Sequence, residues 1–129
     1  MEYNVVFTTG ISDMIREHLR RKLVNPQVEN LLTEEIRNME LVSRKELPAD
    51  IVNINRKVRV KNHTKGTEQD YIFLSSNFRE KPKKNKYSIL SSMALATLGR
   101  KTGDRFTWPF DEGEMDIEIL SVEDYSNPN

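Results

Sequence analysis

The sequence predicts an α+β protein: an N-terminal antiparallel helical hairpin, followed by an antiparallel β-sheet module with one short helix. Apolar residues recur every three or four positions up to about residue 42 and every second position after Pro48, which marks a change from helix to strand. A run of good helix formers then interrupts the strands at residues 93–98. The length of 129 residues suits one domain, which we divide into a hairpin at residues 1–47 and a sheet module at residues 48–129.

The hairpin is predicted from two amphipathic segments separated by a short turn. Residues 11–23 carry apolar side chains on one face and charged side chains on the other. Asn25 and Pro26 begin a second helix, at residues 26–42, since asparagine is a favoured N-cap and proline is tolerated at the first helical position. Helices joined by so few residues must lie antiparallel, as a short coiled coil. The tip of this hairpin consists of Val24, Asn25, Pro26 and Gln27.

The sheet module is predicted from alternating residues and turn signals. Ser43 and Glu46 have the spacing of a capping box, which predicts one more helical turn before Pro48 ends it. Residues 51–55 and 58–61 alternate, and the interruption at residues 56–57 indicates a bulge. The remaining elements are predicted in order as a turn at residues 63–66, a strand at 71–74, a lysine-rich loop at 75–86, and a last strand at 115–122.

The most informative pattern is the strand, helix and turn at residues 87–104. Ser91 and Ser92 follow a short apolar run and can cap a two-turn helix. Gly99 stands where such a helix ends in the left-handed conformation. A second glycine turn, at Gly103, then leads into a strand at residues 105–108 with apolar residues at every second position.

Charge is unevenly distributed although the net charge is zero. Residues 51–105 contain 13 Lys and Arg residues and 4 Asp and Glu residues. Residues 106–129 contain no Lys or Arg and 7 Asp and Glu residues. In one interpretation, basic and acidic strands lie side by side and form cross-strand ion pairs. In the other, the basic residues attract nucleic acid or an acidic protein surface. The basic set comprises Arg56, Lys57, Arg59, Lys61, Lys65, Arg79, Lys81, Lys83, Lys84 and Lys86.

Several classes of protein and site do not fit the sequence. It has no apolar stretch long enough to span a membrane, no signal-peptide pattern at its start and no cysteine, so we expect a soluble cytoplasmic protein. His18 and His63 lack a second histidine at metal-ligand spacing, and the glycines form no phosphate-binding loop. We therefore predict no catalytic residue, no metal and no cofactor.

Residues 48–124 resemble the C-terminal domain shared by the bacterial Gre transcript-cleavage factors and the regulator of nucleoside diphosphate kinase. This resemblance implies an FKBP-like domain behind an N-terminal hairpin. It also implies that the protein binds RNA polymerase near the rim of its secondary channel. The matching segments are residues 50–55, residues 88–99, the Gly103-Asp104 turn with residues 106–108, and residues 117–120.

The resemblance also implies where polymerase is contacted, because in the Gre factors the loop entering the short helix is part of the grip. At the second position of this loop the family usually has proline, whereas this chain has Ser92. The cleaving members carry two acidic residues at the hairpin tip, and Val24, Asn25, Pro26 and Gln27 include none. The short, acid-free hairpin places the chain closest to the regulator of nucleoside diphosphate kinase type. The implied polymerase-binding residues are Ser91, Ser92, Met93, Ala94 and Leu95.

The resulting prediction is a monomeric, non-catalytic transcription regulator that binds RNA polymerase and competes with Gre-type factors. Two alternatives remain open. One is a small FKBP-like prolyl isomerase. The other is a nucleic-acid-binding module that uses the basic residues at 56–86, although direct binding to nucleic acid is expected to be weak.

Overall fold

The computed structural model describes residues 5–125 and confirms the predicted α+β class. In this part of the chain, a helical hairpin and a short two-stranded sheet precede a five-stranded sheet with one short helix. The elements are β1 (Val6–Thr8), α1 (Thr9–Arg20), α2 (Pro26–Asn38), β2 (Glu40–Val42), β3 (Arg56–Asn62), β4 (Thr67–Leu74), β5 (Lys86–Ser88), α3 (Ser92–Thr97), β6 (Arg105–Phe110) and β7 (Gly113–Asp124).

The two long helices begin at side-chain caps. Thr8 Oγ1 accepts a hydrogen bond from the Ile11 N–H (3.3 Å), and α1 ends at Arg20 rather than at residue 23. Asn25 caps α2 as predicted, because its Oδ1 accepts from the Val28 N–H (2.9 Å) and Pro26 occupies the first helical position. These caps satisfy backbone donors that a helix start leaves without a partner.

The predicted second helix is wrong in its last turn. Residues 39–42 leave the helix, and Glu40–Val42 forms β2, which pairs in parallel with β1. The Glu40 N–H donates to the Val5 carbonyl (3.0 Å), so the N-terminal segment supplies a strand partner that the local periodicity could not reveal. Beyond β2, the predicted turn at Ser43 is confirmed: both its N–H and its hydroxyl donate to Glu46 Oε1.

The five-stranded sheet has the order β5-β4-β3-β7-β6 and is antiparallel except for the β4–β5 pair. The strand predicted at residues 51–55 is wrong, because Val52 instead exchanges hydrogen bonds with Gly99 and Arg100. The bulge also differs from the prediction. It lies between Arg59 and Val60, opposite an extra residue in β7, and not at residues 56–57.

The hairpin and the sheet share one hydrophobic cluster, although the domain division at residue 47 remains a prediction. Ile15 and Leu32 of the hairpin are fully buried in the same cluster as Val58 of β3 and Trp108 of β6. The apolar residues of α3 belong to this cluster as well, which fixes the short helix against the sheet. Packing of the hairpin against the sheet module therefore determines where the hairpin turn lies.

Gly99 ends α3 with a φ of +81°, as the sequence predicts. A side chain here would clash, because a Cβ would lie 2.6 Å from the Phe7 ring and 2.9 Å from Val5. The Gly99 carbonyl accepts from the Val6 N–H (2.9 Å). Glycine is therefore required both for its backbone conformation and for the close approach of β1.

A buried ion pair links the hairpin to the residue after Gly99. Glu35 Oε2 of α2 lies 3.1 Å from Arg100 Nη2, and the guanidinium group also stacks 3.8 Å from the Phe106 ring centroid. Within residues 5–125, Glu35 Oε1 is buried without a hydrogen-bond partner. Burial raises the pKa of Glu35 to about 7, and the attraction of Arg100 offsets only part of this effect.

Candidate partner-binding clefts

Two clefts share Phe110, the last residue of β6, in their linings. The first, which we call the hairpin cleft, has a volume of about 190 Å³ and lies between the hairpin turn and the β6–β7 turn. The second, the sheet cleft, has a volume of about 140 Å³ and lies between α3 and the sheet. The hairpin cleft is lined by residues that include Leu23, Val24, Asn25, Leu90, Ser92 and Leu95. The sheet cleft is lined by residues that include Val60, Gln69, Tyr71, Met93 and Met115.

The residues implied as polymerase contacts divide between these clefts and the core. Ser92 is exposed and lines the hairpin cleft together with the mostly buried Leu95, whereas Met93 lines the sheet cleft. Ser91 caps α3, because its hydroxyl oxygen accepts from the Ala94 N–H (3.4 Å). Ala94 is fully buried. Three of the five residues therefore reach a surface that a partner can enter, and the other two hold the helix in place.

The hairpin tip lies at the same place as the α3 loop. Val24 and Asn25 line the hairpin cleft, while Pro26 and Gln27 are exposed. Asn25 Nδ2 donates to Asp111 Oδ1 in the β6–β7 turn (3.3 Å). The sequence presents the tip and the α3 loop as separate features, and the structure brings them together around one cleft.

Phe110 is the functional candidate that the sequence reasoning missed. It lines both clefts. The alternation in β6 predicted a strand but gave no sign that its last residue borders two cavities. Trp108, two residues earlier, is 2% exposed and meets Phe106 edge to face, so it serves in packing.

One titratable side chain in each cleft, His18 and Tyr71, has a pKa shifted toward its neutral form. Burial lowers the pKa of His18 on the hairpin cleft, and the positive charge of Arg21 acts in the same direction. Burial also raises the pKa of Tyr71 in the sheet cleft to about 12, so its hydroxyl stays protonated. His18 and Tyr71 therefore add uncharged polar groups to the apolar walls, whereas Asp111 on the hairpin cleft and the Lys65–Glu112 ion pair on the sheet cleft supply charge.

The structure divides the basic residues into a paired and an unpaired set. Lys57 of β3 lies 3.7 Å from Asp70 and 3.7 Å from Glu123, and Arg59 lies 3.0 Å from Asp70. These contacts confirm cross-strand ion pairing for β3. Between residues 5 and 125, no basic residue at positions 79–86 forms an ion pair with an acidic side chain.

Neither a metal-binding cluster nor a membrane-spanning helix is found in the described part of the chain. Within residues 5–125, no three or more His, Asp and Glu side chains are grouped so that they could hold a metal ion. No helix in the same range is both long and apolar enough to cross a bilayer. Glu29, the acidic residue nearest the hairpin tip in sequence, lies in the first turn of α2, 4.0 Å from Lys22.

Comparison with known proteins identifies relatives for most of the chain. Residues 47–124 match the family model "Transcription elongation factor, GreA/GreB, C-term". The transcription elongation factor GreA of Clostridium botulinum is 33% identical over 96 residues, which are 74% of this chain and 57% of that protein. GreA of Leuconostoc citreum is 33% identical over 93 residues, or 71% and 58% of the two chains. The chain thus spans just over half the length of these curated relatives.

A solved structure shows the same fold over nearly the whole chain. The prokaryotic transcription elongation factor GreA/GreB from Nitrosomonas europaea superimposes with a TM-score of 0.66 and 21% identity. The match covers 95% of this chain and 99% of that one. Together with the family match over residues 47–124, these findings establish that the chain belongs to the GreA/GreB transcription elongation factor family.

Proposed function

We propose that this chain is a non-catalytic transcription regulator that binds RNA polymerase near its secondary channel and competes with Gre-type factors. Family membership supports a role at polymerase. The observation that carries the proposal is the position of Ser92 and Met93. Both belong to the loop that contacts polymerase according to the family resemblance, and they line two clefts that share Phe110.

The hairpin cleft has the features of a protein-docking site. Leu23 on its rim is 55% exposed, and Leu90 and Phe110 are partly exposed. Protein interfaces are held by a few apolar or aromatic anchors that enter pockets and exclude water. A projecting side chain of the polymerase can enter either cleft, and Leu23 can cover it from the hairpin side.

The hairpin supports a role without transcript cleavage. In the cleaving Gre factors, two tip carboxylates help to hold the magnesium that activates water for phosphodiester hydrolysis. Here the tip has no carboxylate of its own, and Glu29 lies beside Lys22. Asp111, a carboxylate beside the tip, accepts a hydrogen bond from Asn25. This arrangement favours the regulator of nucleoside diphosphate kinase type, which occupies polymerase and blocks other factors.

Polymerase binding is tested by a pull-down of core enzyme with matched leucine variants. Leu23→Asp places a charge on the rim of the hairpin cleft and is expected to weaken binding about tenfold or more, as loss of an interface anchor does. Leu41→Asp makes the same change at a leucine that is 53% exposed and lies outside both clefts, so binding should persist. Equal effects of the two variants would contradict docking at the cleft, and absence of wild-type binding at micromolar concentration would refute the proposed function.

The competing role is tested with stalled elongation complexes and a cleaving Gre factor. The protein alone should leave the transcript intact, and increasing amounts should slow the cleavage that the Gre factor promotes. Leu23→Asp should lose this inhibition while Leu41→Asp keeps it. Transcript cleavage by the wild-type protein alone would exclude a non-cleaving regulator.

The family's usual proline provides a second test of the α3 loop. Ser92 is the first residue of α3, where proline is tolerated, and Ser91 already has the extended backbone (ψ 161°) that a following proline requires. Ser92→Pro should therefore fold and should strengthen polymerase binding, because it fixes the loop before contact. Weaker binding by a folded Ser92→Pro protein would contradict a family-like grip.

A further inference from the structure

A strongly basic surface lies outside the clefts, in the loop at residues 79–86. We call this segment the basic loop; it contains five Lys and Arg residues and one acidic residue, Glu80. Glu80 Oε2 accepts from the Ser88 N–H (3.2 Å), so the only carboxylate of the loop is bound to the backbone of β5. Four of the five cations, Arg79, Lys81, Lys83 and Lys84, are exposed. In a protein with no net charge, this loop is a local concentration of positive charge.

The backbone of the basic loop has a defined shape. Lys81 and Lys86 exchange two backbone hydrogen bonds (2.8 and 3.2 Å) around a 3₁₀ turn at Pro82–Lys84. Asn85 closes the turn in the left-handed conformation, with a φ of 59°. Lys81, Lys83 and Lys84 are therefore presented from an ordered turn, and little backbone freedom remains to be lost when a ligand binds.

We propose that the basic loop binds the phosphate backbone of nucleic acid without reading its sequence. Phosphate contacts require cations alone, and lysines placed along a surface supply them. The cores of protein interfaces are instead depleted in lysine and enriched in aromatic residues. Residues 79–86 contain no aromatic side chain and no aliphatic one apart from Pro82, so they offer neither an anchor for a protein nor a stacking surface for a base.

The position of the basic loop makes this activity independent of polymerase docking. The loop joins β4 to β5, which is one edge of the five-stranded sheet. The β6–β7 turn that borders both clefts belongs to the opposite edge. The proposed phosphate contact thus goes beyond the proposed function and stands or falls separately from it.

Fluorescence anisotropy with a short labelled single-stranded RNA of mixed sequence tests the proposal. Between about 50 and about 200 mM salt, the logarithm of the wild-type binding constant should fall linearly with the logarithm of the salt concentration. The slope should be about −3, as expected for four or five phosphate contacts. The triple variant Lys81→Gln, Lys83→Gln, Lys84→Gln should reduce this slope by about 2 and weaken binding at low salt about tenfold or more. The charge-preserving variant, with arginine at the same three positions, should bind like the wild type.

A matched control removes three cations that are already paired. Lys57, Lys65 and Arg105 each lie within 4 Å of a carboxylate, at 3.7, 2.9 and 2.7 Å, and their replacement by Gln changes the net charge by the same amount. RNA binding by this control should stay close to that of the wild type. An equal loss in the control would overturn the proposal, since net charge would then explain the binding. So would absence of wild-type binding at about 100 µM protein, or equally tight binding of labelled polyglutamate, which would indicate an acidic protein surface as the ligand.

Discussion

The ion pair between the hairpin and the sheet module and the ion pairs on the outer face of β3 have nearly the same geometry but different surroundings. Glu35 and Arg100 lie 3.1 Å apart with side chains 8% and 15% exposed. Arg59 and Asp70 lie 3.0 Å apart with side chains 45% and 21% exposed. At nearly equal distance, the two pairs thus differ strongly in their exposure to solvent.

Burial disfavours the charged forms of Glu35 and Arg100, whereas hydrogen bonds favour the charged form of the exposed Arg59. At the junction, burial raises the pKa of Glu35 to about 7, and burial also lowers the pKa of Arg100, so both groups resist ionisation. On β3, hydrogen bonds from its side chain to Asp70 and Glu68 raise the pKa of Arg59 and favour its charged form. The buried pair therefore joins the hairpin to the sheet at a desolvation cost, whereas the exposed pairs neutralise charge between strands.

The largest loss of stability should come from adding a side chain at Gly99, next to the Glu35–Arg100 pair. Gly99→Ala forces a side chain into the left-handed conformation and places its Cβ 2.6 Å from the Phe7 ring. Strain and overpacking together should lower the free energy of unfolding by about 2–5 kcal/mol, measured by urea denaturation. Gly10→Ala is the control, because nothing lies within 4 Å of its added Cβ. A Gly99→Ala protein as stable as the control would contradict the close packing of β1 on Gly99.

The buried carboxyl of Glu35 should make the free energy of unfolding depend on pH in a way that the ion pairs on the outer face of β3 do not. The pKa of Glu35 is raised from 4.5 to about 7 in the folded protein, so the folded state binds the proton more tightly than the unfolded state. Its contribution to stability is therefore complete below about pH 4.5 and is lost as the pH rises to about 7. Glu35→Gln should remove this decline, which we expect to be about 3 kcal/mol.

Urea denaturation at a series of pH values measures this effect. Glu34→Gln changes an exposed glutamate of the same helix and should keep the wild-type pH profile. If the wild type and Glu35→Gln show parallel profiles between about pH 5 and about pH 8, the carboxyl does not titrate in this range and the account of the junction is wrong.

The sequence predicted local structure better than it predicted the junction. The caps at Asn25 and Ser91 and the left-handed Gly99 depend on residues a few positions apart, and all three are confirmed. The last turn of the second helix was predicted wrongly because β2 forms only when Val6–Thr8 lies beside it. Pairing between segments about 30 residues apart leaves no mark in the periodicity of either.

The same limit applies to the candidate site. The α3 loop was identified through a family resemblance, and the hairpin tip through its turn residues. Their meeting around one cleft depends on the Asn25–Asp111 hydrogen bond and on Phe110, which come from distant segments. The sequence also could not show which basic residues are paired. Arg59 is paired because the strand register places Asp70 opposite it, whereas the basic loop does not face an acidic strand in this way.

A smaller loss of stability is expected at Ser91. Its capping hydrogen bond is less buried than the Glu35–Arg100 pair and more buried than the ion pairs on β3. Ser91→Ala removes the acceptor for the Ala94 N–H at the start of α3 and should lower the free energy of unfolding by about 1 kcal/mol. Ser92→Ala, at the exposed first residue of the helix, is the matched control and should change stability by less than about 0.5 kcal/mol. Equal losses in the two variants would show that the hydroxyl of Ser91 does not stabilise the helix.

The smallest effect should come from the outer face of β3. Replacing Arg59 by Met removes its contacts with Glu68 and Asp70, but both ends of each pair stay in contact with water. The loss of stability should therefore be smaller than that of Ser91→Ala, and it should vanish at about 1 M salt, where the screening length is roughly 3 Å. Glu35→Gln supplies the contrast, because salt screens a buried pair poorly and its effect should persist. A salt-independent loss in Arg59→Met would mean that the stem of this arginine, rather than its charge, holds the strands together.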